Sequence, residues 1–380
     1  MSVLGFSPAV RTSRVAADSR TLDCPIRVAF VIDRLSKAGT ESQLLALLRS
    51  LDRSAVSPSL VILGGGDPES RSLEPDCCPV LRLGVARLAS VTALSAAKRL
   101  WTHWRAERPD IVQCYFHDSA YFAVPVAKSA GAKRILRVRN NLGYTQTRKH
   151  RWLSRAIRPC VDGILTNSAG GRDAIVAMDG LPPDRVHVLE NGVDLDRFPP
   201  RVPHAGSPIV GCVANLRPVK NIDGLLRIAA MIPRVEFRIA GDGPEREKLE
   251  ILCRDLGLAD RVRFFGSVAD IPGFLSQLDV AVLPSHSESL SNSVLEAMAA
   301  GLPIVATDVG ANTKLLGDGP SGVVVPPGND GAFAAALTAL LGDVERRTAM
   351  GLAGRRRVER DYGREAMRMR FERFYRDLVR

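Results

Sequence analysis

Aromatic residues are scarce: Phe, Trp and Tyr together make up only 5% of the 380 residues. With no helix-turn-helix, zinc-finger or RNA-recognition pattern either, a nucleic-acid partner is not expected, although the chain is basic. The cysteines number seven, an odd count, and no two stand in C-x-x-C spacing. Neither a disulfide framework nor a structural zinc site is indicated, and scattered thiols of this kind suit a reducing cytosol. No apolar run reaches the roughly 20 residues that a membrane-spanning helix needs. Residues 1–24 carry Arg11, Arg14 and Arg20 without a continuous apolar stretch. They read as a loose tail rather than a secretory signal. No G-x-x-x-x-G-K-[ST] is present, which excludes a P-loop NTPase. Gly64–Gly66 and Gly241-Asp242-Gly243 both fall short of the dinucleotide fingerprint; in the second, Arg246 stands where the third glycine belongs.

Negative charge is also missing from one long stretch. Lys plus Arg exceed Asp plus Glu by 52 − 41 = 11. Between Ser119 and Val161 stand Lys128, Lys133, Arg134, Arg137, Arg139, Arg148, Lys149, Arg151, Arg155 and Arg158, with no carboxylate among them. That one segment nearly accounts for the whole excess. It reads either as a solvated basic face or as an attractor of phosphates, on an anionic lipid or on a pyrophosphate-bearing substrate. Thr147–Ile157 interleaves four of these cations with Trp152, Leu153 and Ile157. A helix lying on a membrane surface has this pattern, and so does one that turns an apolar side to a core.

What fills the chain is a repeated alternation of short β-branched runs and helical spacings. Ile26–Ile32 precedes a helical pattern over Glu41–Leu51. Further strands are expected at Leu60–Leu63, Val80–Leu83, Ile111–Phe116, Ile135–Val138, Gly163–Thr166 and Val186–Leu189, with Ser90–Arg105 helical. The segment Phe198–Pro208 then holds four prolines, at 199, 200, 203 and 208, and reads as a linker. The alternation restarts at Ile209–Val213, Glu236–Ala240, Val262–Phe265, Val280–Leu283, Ile304–Ala306 and Val323–Val325. The expectation is an α/β chain of two parallel-sheet domains, 25–200 and 201–364, closed by a basic packing helix over 365–380. Ligands of such sheets bind beyond the carboxyl ends of the strands, so the site belongs in the cleft between the two.

The most informative stretch is Ser285–Ala306, SHSESLSNSVLEAMAAGLPIVA. Glu288 falls in a loop after an apolar strand, and a helix is expected to start around Ser291–Ser293 and stop at Gly301 before Pro303. The free amides and positive dipole end of such a helix form a ready anion site. Glu296 follows Glu288 by eight residues. Carboxylates placed there can accept hydroxyl hydrogen bonds from a sugar or a ribose. Ser293-x-x-Glu296 also fits a capping box, which would give Glu296 a purely structural task.

The pattern of Glu288, seven intervening residues, Glu296 and then AMAAGLPIVA resembles the signature of glycosyltransferase family 4, the retaining, nucleotide-sugar-dependent enzymes of the GT-B fold. IRVAFVIDRLSKAGTES, PDIVQCYFHDSAYF, LENGVDLDRF, VANLRPVKNIDGLL, RIAGDGPEREKLE and VRFFGSVADIPGFLSQLDVAVLPS resemble further segments of that family in the same order, so the likeness covers about residues 25–375. RNNLGY and TRKHR are similar to members that work in polysaccharide assembly. The resemblance implies two facing Rossmann-like domains with parallel sheets and the ligand cleft between them. It implies that Glu288 bonds the donor sugar, that Glu296 holds the ribose and that amides around Leu290, Ser291 and Asn292 bind donor phosphate. Lys220 would neutralise the departing diphosphate; a preorganised cation at a developing charge is usually the largest catalytic contribution.

The family's arginine lies five residues before that lysine, where this chain has Asn215; Arg217 is the nearby substitute, or else a surface residue beside Pro218. The family's histidine falls near Tyr115, so His117 is a displaced match, or else an ordinary loop histidine. Gly39, in the loop after the first strand, would let backbone approach a pyrophosphate. Gly241, in RIAGDGPEREKLE, is placed with the donor-binding residues. Asp194-Leu195-Asp196 is formally a D-x-D metal triplet, but it sits in the NGVD segment and reads as structural.

The resemblance implies no obligatory metal and no cofactor, since the nucleotide sugar is a substrate. The expected partners are a donor of UDP or GDP type, an acceptor glycan or lipid-linked sugar, and an anionic membrane surface. The expected location is the cytoplasm, at the inner face of the membrane. Two rivals stand beside this reading: a nucleotide-sugar epimerase of the same fold, and a non-catalytic nucleotide-sugar-binding partner of a membrane assembly complex. Glu288 and Lys220 together argue against a dead site.

Overall fold

The computed structural model describes residues 24–64, 66–140, 147–199, 206–317 and 321–380. Residues 1–23 of the expected tail and the middle of the proline-rich connection, 200–205, lie outside the described residues. A first sheet contains β1 (Ile26–Ile32), β2 (Val56–Ile62), β3 (Val80–Arg82), β4 (Ile111–Tyr115), β5 (Arg134–Val138), β6 (Gly163–Thr166) and β7 (Val186–Val188). A second contains β8 (Ile209–Val213), β9 (Glu236–Ala240), β10 (Val262–Gly266), β11 (Val280–Leu283), β12 (Ile304–Thr307) and β13 (Val323–Val325). Every strand pairing is parallel. The orders are 3-2-1-4-5-6-7 and 10-9-8-11-12-13. Each order reverses beside its first strand, between β1 and β4 and between β8 and β11, which opens a crevice above the carboxyl ends there.

The strands are buried on both faces, so their residues divide between two cores. In β1, Ile26, Val28, Phe30 and Ile32 face one cluster with Leu44 and Leu48, while Ala29 and Val31 face another with Leu100, Trp104 and Ala120. Both faces of such strands are mostly apolar, which is why they appear in the sequence as short runs rich in apolar, often β-branched residues. β2 begins four residues earlier than the apolar run at Leu60, and it includes Pro58. β3 pairs only with Leu60–Ile62, so at Pro58 the strand is an edge and its missing amide proton costs no ladder bond.

Helix Arg364–Val379 does not stay with the second sheet beside which the chain has just run. It returns to the first, where Met367, Phe371 and Tyr375 join the core of β1. The Tyr375 ring meets Phe30 edge-on at 6.4 Å. Its hydroxyl donates to Gln113 Oε1 at 2.9 Å, and Gln113 Nε2 donates to the Tyr115 hydroxyl at 2.8 Å. Each side chain in this buried polar chain has a partner, which offsets the cost of taking it out of water. Among the described residues no helix is long and apolar enough to cross a membrane.

Candidate active site

Two loops from the second sheet meet above its switch point. After β8 the chain makes a single helical turn, Pro218–Lys220, and leaves it through Asn221 in the left-handed conformation (φ 53°). Asparagine tolerates that region better than most residues. The Asn221 amide is buried and donates to Pro284 O at 3.0 Å, tying this loop to the end of β11. His286 N donates to Val219 O at 2.8 Å, a second tie. So held, Lys220 Nζ lies 2.6 Å from Glu288 Oε1, and Ser285 Oγ donates to the same oxygen at 2.7 Å. The two charged residues, 68 apart in sequence, form one half-buried pair.

The Glu288 loop is held from above by the turn after β12. Gly310 has φ +59°, and a Cβ there would meet Glu288 O at 2.2 Å. Ala311 N donates to Ser289 O at 2.8 Å, and the Thr307 hydroxyl donates to Ser285 O at 2.6 Å. Helix Asn292–Ala299 then starts where expected, but its cap is Ser291, whose hydroxyl accepts from Val294 N at 3.3 Å. The capping box of Ser293 with Glu296 is absent. The cap sits two residues earlier, which puts Glu296 two residues beyond the capping-box position, about half a turn too deep to reach it. Among the described residues the amides of Leu290, Ser291 and Asn292 make no hydrogen bond. They remain available to an anion at the positive end of the helix dipole.

The Glu296 carboxylate makes no hydrogen bond or ion pair among the described residues. Burial pushes its carboxyl up to about 7, against a small opposing pull from Arg197. A desolvated carboxylate without partners gains strongly from arriving hydroxyl donors. Asn292 meanwhile reaches the first sheet. Its Nδ2 donates to Gly39 O at 3.3 Å, and its Oδ1 accepts from Asn191 Nδ2 at 2.7 Å. Gly39 is not in the loop after β1 but is the first residue of helix Gly39–Ser50. The space left by its missing Cβ is taken up by Asn292, whose amide nitrogen would lie 2.8 Å away. Ser289 Oγ donates to Asn167 Oδ1 at 2.6 Å and lies 2.7 Å from Ser168 Oγ, which completes the contact between the halves.

Not every expected residue joins this group. Arg217 is exposed and has no partner among the described residues. Gly241 presses against the loop after β8 from behind, where a Cβ would lie 1.9 Å from Ala214 O, and its amide is spent on Gly266 O at 2.7 Å. Its lack of a side chain positions the lysine loop, and no N–H is left there for a phosphate. Asp194 and Asp196 both pair with Arg364, which fits their structural reading.

His117 belongs to the first sheet's crevice. It opens helix His117–Ala130 directly after Phe116, a non-glycine at φ 63°, ψ −173°. That backbone region is almost reserved for glycine and costs roughly 1–3 kcal/mol. The His117 ring stacks on His150 with centroids 4.5 Å apart, and its Nδ1 lies 3.3 Å from the Tyr121 hydroxyl. Burial, then the neighbouring His150, Arg137 and Arg139, hold its pKa down at about 4, so the ring is neutral at physiological pH. Asp33, at the end of β1, accepts from Ser119 N at 2.6 Å, yet burial still raises it to about 6. Sequence reasoning missed Asp33, Asn221, Ser285 and Gly310. Only Gly310, a glycine soon after a strand, carried a local signal.

Comparison with known proteins agrees with this fold. Residues 38–197 match the family model described as Glycosyltransferase Family 4, and residues 196–357 match that described as Glycosyl transferases group 1. A GDP-mannose-dependent alpha-(1-6)-phosphatidylinositol monomannoside mannosyltransferase of Mycolicibacterium smegmatis is 31% identical over 273 residues, 65% of this chain and 71% of that protein. A D-inositol 3-phosphate glycosyltransferase of Nocardia farcinica is 34% identical over 215 residues, which is 50% of this chain and 47% of that one. In fold, the chain is similar to Anabaena HepE solved with UDP and glucose, at a TM-score of 0.81 and 18% identity over 93% of this chain and all of that one.

Proposed function

Given that the chain belongs to the family 4 glycosyltransferases, we propose that it moves a hexosyl group from a UDP- or GDP-type nucleotide sugar to a hydroxyl of a glycan or lipid-linked acceptor, with retention at the anomeric carbon. The observation that carries this reading is the Lys220–Glu288 pair beside the free amides of Leu290, Ser291 and Asn292. The amides and Lys220 receive the donor diphosphate. As the bond from the anomeric carbon to the phosphate oxygen lengthens, negative charge grows on that oxygen, and Lys220 is already in place to meet it. Glu288, fixed by Ser285, accepts hydrogen bonds from sugar hydroxyls, and Glu296 accepts them from the ribose. Arg217 adds a second cation once a diphosphate draws it in. Lys220 and the helix dipole supply the positive charge that a metal would otherwise bring, so transfer needs no obligatory metal and no cofactor.

Donor binding is assigned to residues 201–364 together with Gly39, which Asn292 touches across the cleft, and acceptor binding to the rest of 25–200, with His117 and Asp33 lining the acceptor side. The relatives named above for phosphatidylinositol mannosides and inositol phosphate support a phosphorylated or lipid-linked acceptor. An anionic membrane face at the cytoplasmic side is supported by the outer surface of three helices packed side by side on the first sheet, Val91–Glu107, His117–Ala130 and Arg148–Ile157. Val91, Leu94 and Trp152 are 82%, 73% and 69% exposed there, among Lys98, Arg105, Arg148 and Arg155. Apolar and aromatic side chains set among cations are what an interfacial helix presents.

The test is a thermal-shift panel with UDP, GDP, ADP and their sugar conjugates, run with and without a chelator. A ligand at about 100 times its dissociation constant adds roughly 2.7 kcal/mol to the folded state. A shift with one base family names the donor. NMR of the product from that donor then reads the anomeric configuration, and an inverted product would refute the retaining step. No shift with any nucleotide, in protein shown to be folded, would refute the donor site.

A further inference from the structure

We propose that the groove between helices Arg148–Ile157 and Ala169–Asp179, floored by β5 and β6, is a second anion site that holds a phosphate group carried on an apolar body. None of its residues belongs to the donor site. Arg137, Arg151, Arg155, Arg158 and Arg185 line it against a single carboxylate, Asp179. That carboxylate is already paired with Arg139. Arg158 is occupied with the carbonyls of Asp179 and Gly180 at 3.2 and 3.1 Å, and Arg185 with those of Val161 and Asp162. Arg151 and Arg155 are exposed and have no partner among the described residues.

The floor is the decisive part. Arg137 is only 4% exposed, and its Nε has no hydrogen-bond partner among the described residues. Its Nη2 reaches Ser154 Oγ at 3.4 Å, the long limit of a bond, and its guanidinium lies 5.7 Å over the Tyr121 ring. Taking a guanidinium out of water with its donors unmet is costly, and desolvation accordingly lowers the pKa of Arg137. An arriving oxyanion would satisfy those donors. A phosphate matches best, because its oxygens fit guanidinium forks and several cations converge on one point. Val161, Ile164, Met178 and Leu181 give the groove an apolar flank, so the phosphate should be attached to something that prefers to leave water. The Tyr121 hydroxyl lies 3.2 Å from Ser154 Oγ and 3.3 Å from His117 Nδ1, which links the floor to the acceptor-side crevice.

Two probes test this. Inorganic pyrophosphate is titrated calorimetrically into the K220M variant, in which the donor site is weakened, and then into K220M carrying R151Q and R155Q. Sedimentation with phosphatidylcholine vesicles, with and without phosphatidic acid, is measured for the wild type, for R151Q/R155Q and for R137M. The two exposed arginines can be changed without touching the core, while R137M leaves the outer surface charge unaltered. Loss of a charged hydrogen-bonded contact should weaken phosphate binding by roughly tenfold to a hundredfold. Pyrophosphate binding that falls this far while the vesicles do not respond shows an anion site for a small soluble phosphate and overturns the apolar body. Vesicle binding that needs phosphatidic acid and falls in R137M as well as R151Q/R155Q identifies a lipid headgroup. If neither probe responds to either set of variants, the groove is not an anion site and the proposal is overturned.

Discussion

Replacing Lys220 with Met keeps the alkyl stem and removes the charge. When the glycosidic bond breaks, the leaving diphosphate gains about one unit of negative charge. One unit charge at about 3 Å and an effective dielectric of about 20 gives roughly 5.5 kcal/mol. Two features reduce that. Lys220 is 21% exposed, and Glu288 at 2.6 Å offsets part of its field. Halving the figure leaves about 3 kcal/mol, or roughly a hundredfold in kcat, within the range for losing one preorganised donor. Turnover is measured at saturating donor and acceptor by release of nucleoside diphosphate, with donor affinity followed separately by thermal shift. The expected result is a kcat lower by about two orders of magnitude with the fold intact. Turnover within about threefold of wild type would refute the assignment, and a loss confined to KM would mean that Lys220 stabilises bound substrate rather than the departing charge.

Glu296→Gln should act on stability in one direction of pH. With its carboxyl raised to about 7, the folded protein keeps a proton that the unfolded chain releases above about 4.5. Stability therefore declines as pH rises through that window, and the variant should be more stable than wild type at pH 8, by up to about 3 kcal/mol, with the gap closing toward pH 5; thermal melts at both pH values check it, and nucleotide affinity should fall. His117→Gln should do the reverse. The fold refuses a proton that the unfolded chain takes up between about 6.5 and 4, so wild type loses stability as pH falls through that range. The variant should gain about 1 kcal/mol on wild type between pH 7.5 and pH 5, after discounting for partial exposure; equal denaturation midpoints at the two pH values would contradict the buried, neutral ring. Gly241→Ala forces a Cβ onto Ala214 O at φ +138° and should cost about 3 kcal/mol or more in urea unfolding, with activity lost as the lysine loop shifts.

The strands were legible because burial on both faces favours apolar residues, and β6, β8, β9, β11 and β13 start and end where they were expected. β2 extends back to Val56 past Pro58, a residue that argues against a strand unless β3 is known to be short. Glu288, Lys220 and the helix start were legible from motif order. Their contact was not, since it depends on Asn221 holding Pro284 O across 63 residues. Ser291 and Ser293 are equivalent as caps in one dimension; only the direction in which the loop enters the helix favours the first. The stacking of His117 on His150, and the return of helix Arg364–Val379 to the first sheet, leave no local trace. Both depend on which surfaces remain uncovered once the sheets have formed.

That return means the polypeptide passes between its two halves twice. One passage leads out through residues 190–198, where Val193 and Phe198 already pack in the second core. The other leads back near Gly363, which pairs with Val193 in a short parallel bridge, while Val193 N donates to Tyr362 O at 2.8 Å. A single connection would leave the halves free to swivel. Two connections bonded side by side behave like adjacent pins of a door: opening and shutting about their line stays soft, and twisting about any other axis is resisted. Any opening of the crevice about that line would therefore bring the two halves back together in the same orientation.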